Sequence, residues 1–339
     1  MNKETIFQLT LLFSVVLGAF LLTYLAMRIL LPRLRKYKLN QPISIYAPKT
    51  HMDKSATPTL GGLSFVIAST VLMIPVSLAF VLFGKGRELL PLLFSFGLAL
   101  LNAVIGFVDD YQKLVKKQNV GLRAWQKLLL QLIIGAIYLV LMIAFGEIDT
   151  VLHIPYLNLT WDLGYFTYVI ALLLITGMTN STNLTDGVDG LLSSTTAVCA
   201  CFFLGVSLLF GDPILSVLPA LLLGSAVAFL LFNAHPARVF MGDTGSLFIG
   251  AALVGTAFLM DKPLIVLVAG GIYVVETASV ILQVISCKLI RLGWRKKRFF
   301  KRTPIHHHFE DKGYTENQIV VSFTLVSLLF SFLAYLGVI

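Results

Sequence analysis

The chain passes again and again through stretches of roughly 18 to 25 residues with few charges, the length a helix needs to cross the hydrocarbon core of a bilayer. Ten can be marked, at about 6–31, 60–83, 89–108, 125–145, 165–182, 190–210, 214–232, 245–260, 263–287 and 317–338. Lipid offers the backbone no hydrogen-bond partners, so such stretches must satisfy their own N–H and C=O groups as helices. The expected fold is therefore all-α, a polytopic membrane protein with about ten transmembrane helices. Composition agrees, since 57% of the 339 residues are hydrophobic and only 13% are charged. No Pro/Ser-rich or low-complexity linker divides the chain, and residues 1–339 are expected to form one membrane domain. The run from Thr5 to Leu31 is too long for a signal-peptide core and lacks a small-residue cleavage site, so it counts as a span. Thr160 to Gly164 reads as an external hairpin or a short amphipathic piece. Cys199, Cys201 and Cys287 lie in or beside apolar runs and offer neither a disulfide framework nor zinc spacing.

Basic residues set the orientation, because Lys and Arg beside spans are retained on the cytoplasmic side. With an external N-terminus, 22 of the 26 Lys and Arg fall on the cytoplasmic face, leaving only Lys3, Lys85, Arg87 and Lys262 outside. Ten spans then return the C-terminus to the exterior. The net charge of +9 thus describes one face, suited to anionic headgroups and phosphate-bearing substrates. Nucleic acid is not an expected partner, for no binding module accompanies the charge.

Acids collect on that same basic face, where topology gives no reason for them. Asp109 and Asp110 follow the third run, Asp186 and Asp189 separate the fifth from the sixth, and Asp243 precedes the eighth. Carboxylates gathered among cations suit a hard divalent ion such as Mg²⁺, which takes one or two carboxylates plus substrate phosphates. Each Asp taken singly is also readable as a helix cap or a lysine partner, a reading that weakens for all five together. Asn180, Asn183, Asp186 and Asp189 recur every third residue, which on a helix forms one polar stripe. Asp110 and Lys113 share a helix face, so a carboxylate could meet a metal while the ammonium meets a phosphate oxygen.

Phe240 to Leu247, with Gly242 and Gly245, has the form of a tight turn entering a helix whose first amides favour phosphate, and Thr244 or Ser246 is placed to cap it. Phe240 is open to two readings, core packing or a platform for a nucleotide base. Lys54 to Gly62 enters the second run, with Lys54 the residue expected to touch ligand and Gly61-Gly62 allowing close packing. His306, His307 and His308 cannot all face one way on a regular element, which argues against a three-histidine zinc site and for separate phosphate contacts. Glu276 lies deep inside the ninth run, where a carboxylate needs an interior partner, and structural hydrogen bonding is preferred there to a proton relay.

Together these segments resemble the polyprenyl-phosphate N-acetylhexosamine-1-phosphate transferases, and among them the phospho-N-acetylmuramoyl-pentapeptide transferases. The likeness covers essentially the whole chain, with motifs in the family's order at Lys54–Gly62, Asp109–Lys113, Asn180–Leu191, Asn233–Leu247 and Pro304–Glu310. The last is the most specific, separating the muramoyl-pentapeptide branch from relatives that use simpler UDP-sugars. Ala56, Leu60 and Arg302 depart from the family's usual Gly, Met and apolar residue. The resemblance implies transfer of phospho-N-acetylmuramoyl-pentapeptide from its UDP derivative to undecaprenyl phosphate at the inner leaflet of the bacterial plasma membrane. Lipid I and UMP are the implied products, Mg²⁺ the cofactor and a homodimer the assembly.

By the same resemblance, Asp243 is the first metal ligand and Asp110 a second, Asp109 is the base or nucleophile, and His306 contacts the pyrophosphate with His307 and His308 in support. Asn180, Asn183, Asp186, Gly187, Asp189, Asn233 and Phe240 fall to substrate, and Lys54, Lys113 and Lys127 to phosphate. Two alternatives remain to be weighed: a related UDP-N-acetylglucosamine transferase, and a secondary transporter. A transporter would keep its site near the bilayer midplane, whereas the acids and histidines here fall at one face.

Overall fold

A computed structural model describes residues 3–37, 57–116, 120–157, 159–294 and 297–339. Twelve helices follow one another: α1 (Lys3–Lys36), α2 (Leu63–Leu82), α3 (Leu89–Lys116), α4 (Ala124–Ala144), α5 (Phe166–Thr185), α6 (Leu191–Phe210), α7 (Val217–Asn233), α8 (Gly242–Leu259), α9 (Ile265–Ala269), α10 (Gly271–Arg291), α11 (Ile305–Glu310) and α12 (Glu316–Leu336). Among the described residues, nine of the helices are long and apolar enough to cross a membrane. The remaining expected span is α5, which has the length but carries Thr176, Thr179, Asn180, Ser181, Thr182 and Asn183 in its second half. The protein is thus an all-α polytopic membrane protein. The expected ninth span is divided at Gly270 into α9 and α10.

Between α4 and α5 the chain forms a hairpin, β1 (Val151–Ile154) against β2 (Leu159–Asp162), antiparallel with Val151 opposite Asp162. It lies at the end of the bundle opposite the basic loops. There His153 Nε2 approaches an Asp261 carboxylate oxygen at 3.1 Å.

The bundle is organised on α8. Of its most apolar window 83% is buried, against 17% for α1 and 28% for α4 and α12, which places α8 at the centre and the others toward lipid. Its sequence, rich in Gly, Ala, Ser and Thr, suits a helix packed on every side without a hydrophobic driving force between helices. The crossing with α3 shows why: a Cβ on Gly106 would lie 2.2 Å from the Asp243 carbonyl oxygen, a separation no larger residue could occupy. Hydroxyl groups join the spans at depth, Thr182 donating to Ser246 O at 2.9 Å and Thr23 to Ser225 at 2.9 Å. Each removes a polar group from hydrocarbon that would otherwise stay unmade.

Candidate active site

The first turn of α8 is the fixed point of the site. No side chain of its own caps it. The cap comes from α3 instead: Asp110 accepts from Asp243 N at 3.1 Å on one oxygen, and from Thr244 N at 3.0 Å and Thr244 Oγ1 at 2.8 Å on the other. The carboxylate of Asp110 is 1% exposed and thereby satisfies amides that every helix start leaves open. Because α3 continues to Lys116, the Asp pair sits within a helix rather than beyond its end, and this extension is what lets Asp110 reach α8.

Asp243, so held, turns its own carboxylate toward two ammonium groups. Oδ2 lies 2.8 Å from Lys127 Nζ and 3.2 Å from Lys113 Nζ, while Oδ1 accepts from Asn183 Nδ2 at 3.0 Å. Asp109 pairs with the same Lys113 at 2.7 Å and accepts from Leu122 N at 2.7 Å. One carboxylate oxygen from each of Asp109, Asp110 and Asp243 falls within 4.8 Å of the others. Three acids from two distant parts of the sequence therefore converge, with two lysines compensating their charge.

Beside this cluster opens a cavity of about 250 Å³. Asn183, Asp186, Gly187, Asp189, Asn233, Phe240 and Asp243 all line it, together with Thr59, Val188 and Gly242. Burial, reinforced by the nearby negative charges of Asp243 and Asp110, holds the Asp186 carboxyl well above the usual carboxylate range. Asn183 bridges by donating also to Ser246 Oγ at 2.9 Å and accepting from Lys127 at 2.9 Å. Asn233 instead ties backbone together, accepting from Gly190 N at 3.0 Å and donating to Val239 O at 3.0 Å. Asp189 accepts from Ala237 N at 3.0 Å, lies 3.0 Å from His235 Nδ1, and its own amide donates to Glu316 at 3.1 Å. Phe240 is fixed by its backbone, which donates to Pro58 O and accepts from Gly61 N.

The polar stripe expected from threefold spacing is not continuous. Helix α5 ends at Thr185, so Asn180 and Asn183 lie on it while Asp186 and Asp189 occupy the following turns. Asn180 points away from the cavity to Gln131 Oε1 at 2.7 Å and Thr176 O at 2.8 Å. Lys54 lies outside the described residues.

The three histidines share the short helix α11 but diverge, as their spacing requires. His306 is fully buried with Nδ1 2.9 Å from Glu276 Oε1. His307 Nδ1 meets Glu310 Oε2 at 2.6 Å, and His308 Nδ1 accepts from Lys301 N at 3.1 Å. Burial, with Lys312 and Lys301 nearby, holds His308 below its ordinary value, which suits an acceptor nitrogen.

Residues 92–261 match the family model described as Glycosyl transferase family 4, a segment that holds all five of the aspartates. Beyond its limits the likeness continues. The chain is 40% identical over 322 residues to a phospho-N-acetylmuramoyl-pentapeptide-transferase of Clostridium kluyveri, covering 95% of this chain and 98% of the other. It is 42% identical over 308 residues to the enzyme of that name from Clostridium perfringens, covering 91% and 90%, and 39% identical over 330 residues to that of Shouchella clausii, covering 97% and 98%. The chain belongs to the phospho-N-acetylmuramoyl-pentapeptide transferase family.

Several residues of this transferase carry the site in ways the sequence did not disclose. Thr244 shares the Asp110 carboxylate rather than capping its own helix, and Leu122 offers only a backbone amide to Asp109. His235, from the loop between α7 and α8, and Glu316, from the first turn of α12, converge on Asp189, Glu316 Oε1 lying 3.6 Å from His235 Nδ1.

Proposed function

We propose that this transferase moves phospho-N-acetylmuramoyl-pentapeptide from UDP-N-acetylmuramoyl-pentapeptide to undecaprenyl phosphate, releasing UMP and forming lipid I. The observation that carries the reading is the meeting of Asp109, Asp110 and Asp243 with Lys113 and Lys127 at the edge of a polar cavity. Bringing a diphosphate and a lipid phosphate together concentrates negative charge, so the chief catalytic need is neutralisation and in-line placement. Lys113 and Lys127 supply two positive charges for that purpose.

The donor set suits Mg²⁺: hard carboxylate oxygens within a few ångströms, at a cavity edge open to phosphate. Asp243 and Asp109 would hold the ion. Asp110, though near enough to contribute, already spends both oxygens on α8. Bound there, Mg²⁺ would supply charge neutralisation on the diphosphate. The lipid phosphate oxygen attacks the β-phosphorus, a P–O bond forms, and the bond from that phosphorus to the bridging oxygen breaks as UMP departs. A phosphomonoester's second pKa of about 6 leaves the acceptor largely ionised at neutral pH, so direct displacement needs no base. Asp109, held by Lys113 and the Leu122 amide, then orients the cluster rather than forming a covalent intermediate.

Asn183, Asp186, Gly187, Asp189, Asn233 and Phe240 would border the uridine side, with Phe240 the platform for the base. The acidic, basic end of the bundle would face the cytoplasm of a bacterial plasma membrane, since 22 of 26 Lys and Arg belong to that side in the external-N-terminus orientation. Assembly as a homodimer belongs to the same reading and is supported by family likeness alone. The test is a radiolabel assay with undecaprenyl phosphate and either UDP-N-acetylmuramoyl-pentapeptide or UDP-N-acetylglucosamine. Lipid-linked product from the first substrate only is expected. Product from the second alone would replace this reading with that of the related transferase, and uptake without product would favour a transporter.

A further inference from the structure

Of the four polar residues recurring from Asn180 to Asp189, only Asn180 is absent from the cavity wall. Its amide crosses to α4 instead, donating to Gln131 Oε1 at 2.7 Å. One turn nearer the carboxylate cluster the same two helices meet again, where Lys127 Nζ donates to Asn183 Oδ1 at 2.9 Å and to Asp243 Oδ2 at 2.8 Å. Lys127 and Gln131 are four residues apart on α4, and Asn180 and Asn183 three apart on α5, so the two pairs lie on facing stripes. Gly135 carries the α4 stripe a further turn, and a Cβ there would lie 2.9 Å from Leu172 Cδ1 of α5.

Gln131 is 1% exposed, and its Nε2 has no partner among the described residues. A leucine would pack in its place without leaving an amide nitrogen bare, so what glutamine adds at this position is its oxygen. Helix α4 has need of such a fixed point. Only 28% of its most apolar window is buried, so it rests on the bundle by one narrow face. In lipid no hydrophobic force draws helices together, and close packing and interhelical hydrogen bonds decide how they meet. At its far end α4 is tied to α3, where the Tyr138 and Ser95 hydroxyls lie 3.1 Å apart. The amide pair is the nearer of the two ties to Lys127. Although the lysine stem is flexible, its ammonium holds partners on α5 and α8 at once, and both contacts require one height of α4. A slip by one residue's rise, about 1.5 Å, exceeds the misplacement of about 1 Å that can cost a catalyst roughly a hundredfold.

We propose that Gln131 and Asn180 are positioning residues for the transfer reaction, their amide contact fixing the height of α4 on α5 and so delivering the Lys127 ammonium to Asp243. The inference rests on the function proposed above and deepens it. Two variants test it in the full-length protein, each keeping the side-chain volume while breaking the contact from one side: Gln131→Met and Asn180→Leu. Each is expected to lower kcat at least fivefold. The readout that a packing role would not move is the reactivity of single lysines toward acetic anhydride, measured by mass spectrometry without substrate or metal. Lys127 should be acetylated at least fivefold faster in either variant than in the parent. Lys113, whose side chain is 13% exposed like that of Lys127 but which stands on α3, should keep its parent rate and serves as the internal reference.

A pair that only glues two helices would lower thermal stability while the Lys127 rate, taken relative to Lys113, stays within twofold of the parent, and that result overturns the proposal. So does a kcat within twofold of the parent in the folded fraction. Loss of activity in Asn180→Leu through a raised KM for the UDP substrate, with Gln131→Met silent, would return Asn180 to substrate and equally overturn it. If one variant fails to fold, the labelling ratio in the other decides. Absence of lipid-linked product from the parent would instead count against the proposed function, and the labelling ratio would still show whether the amide pair places Lys127.

Discussion

Asp110→Asn separates two roles that a carboxylate in a metal-like cluster can have. Asp110 accepts three hydrogen bonds from the first turn of α8, through Asp243 N, Thr244 N and Thr244 Oγ1. An asparagine keeps one acceptor oxygen. If that oxygen serves Thr244, its amide group is turned against the Asp243 N–H, replacing a charge-assisted bond with two facing donors. A buried hydrogen bond to a charged group contributes about 1.5–3 kcal/mol, and leaving its donor bare adds about 1–3 kcal/mol. Removing a buried charge close to Asp109 and Asp243 returns part of this, because their oxygens lie within 4.8 Å. The net loss should be about 2–4 kcal/mol, above the roughly 0.5–2 kcal/mol of an ordinary cap. At the low end of about 2–4 °C per kcal/mol for a long chain, the unfolding midpoint in detergent should fall by about 5 °C. Mn²⁺ affinity should fall less than tenfold, since Asp109 and Asp243 keep their positions through Lys113. An unchanged midpoint together with a Mn²⁺ affinity lowered a hundredfold would make Asp110 a metal ligand and not a cap.

Asp243→Asn is expected to abolish Mg²⁺-dependent turnover while the protein elutes as a folded species, because the carboxylate caps no helix and, among the described residues, faces Lys113, Lys127, Asn183 and Asp109; near-normal turnover would remove Asp243 from the metal site. Phe240→Ala should raise KM for the UDP substrate by about tenfold or more and leave that for undecaprenyl phosphate near its parent value, given about 1–3 kcal/mol for stacking a base; equal effects on both would return Phe240 to packing. The pH response of the α11 region follows from His308, whose folded pKa lies below its ordinary value of 6.5 through burial and the charges of Lys312 and Lys301. Its contribution to stability is therefore present above the unfolded pKa and lost as pH falls through the folded one, when protonation of Nδ1 removes the acceptor for Lys301 N–H. Hydrogen exchange at the Lys301 amide, corrected for intrinsic rate, should accelerate as the pH falls below the ordinary histidine value of 6.5, and a flat profile from pH 8 down through the acid range would contradict this assignment.

The parts of this molecule that the sequence disclosed are those for which the membrane imposes a cost that does not depend on neighbours. A run of apolar residues must become a helix whatever surrounds it, so the spans were legible, although α3 runs on to Lys116 and the ninth is divided at Gly270, and the polar break around Thr160, read as a hairpin or a short amphipathic piece, is a hairpin. Glu276 announced that it needed a partner for the same reason. Which partner it found was not written locally, because His306 lies thirty positions away on a helix whose docking depends on the whole bundle. Asp110 shows the limit most clearly. Capping was weighed for it on the local rule, which looks only to the residues that follow, yet the amide it caps lies 133 positions later. The reach depends on two facts that neither motif contains: α3 runs past Asp110 to Lys116, and Gly106 lets α8 press against it closely enough for a short carboxylate to meet the amides. The polar stripe failed for the opposite reason, since α5 ends at Thr185 with Asp186 at φ −79° and ψ 45°, and Gly190, at φ of 80°, already opens α6. Asn183, Asp186 and Asp189 nevertheless share one cavity, because the turns that broke the stripe fold it back over α8. In a bundle centred on a small-residue helix, the motifs identify which groups are too polar for lipid, and the close approaches decide which of those groups meet.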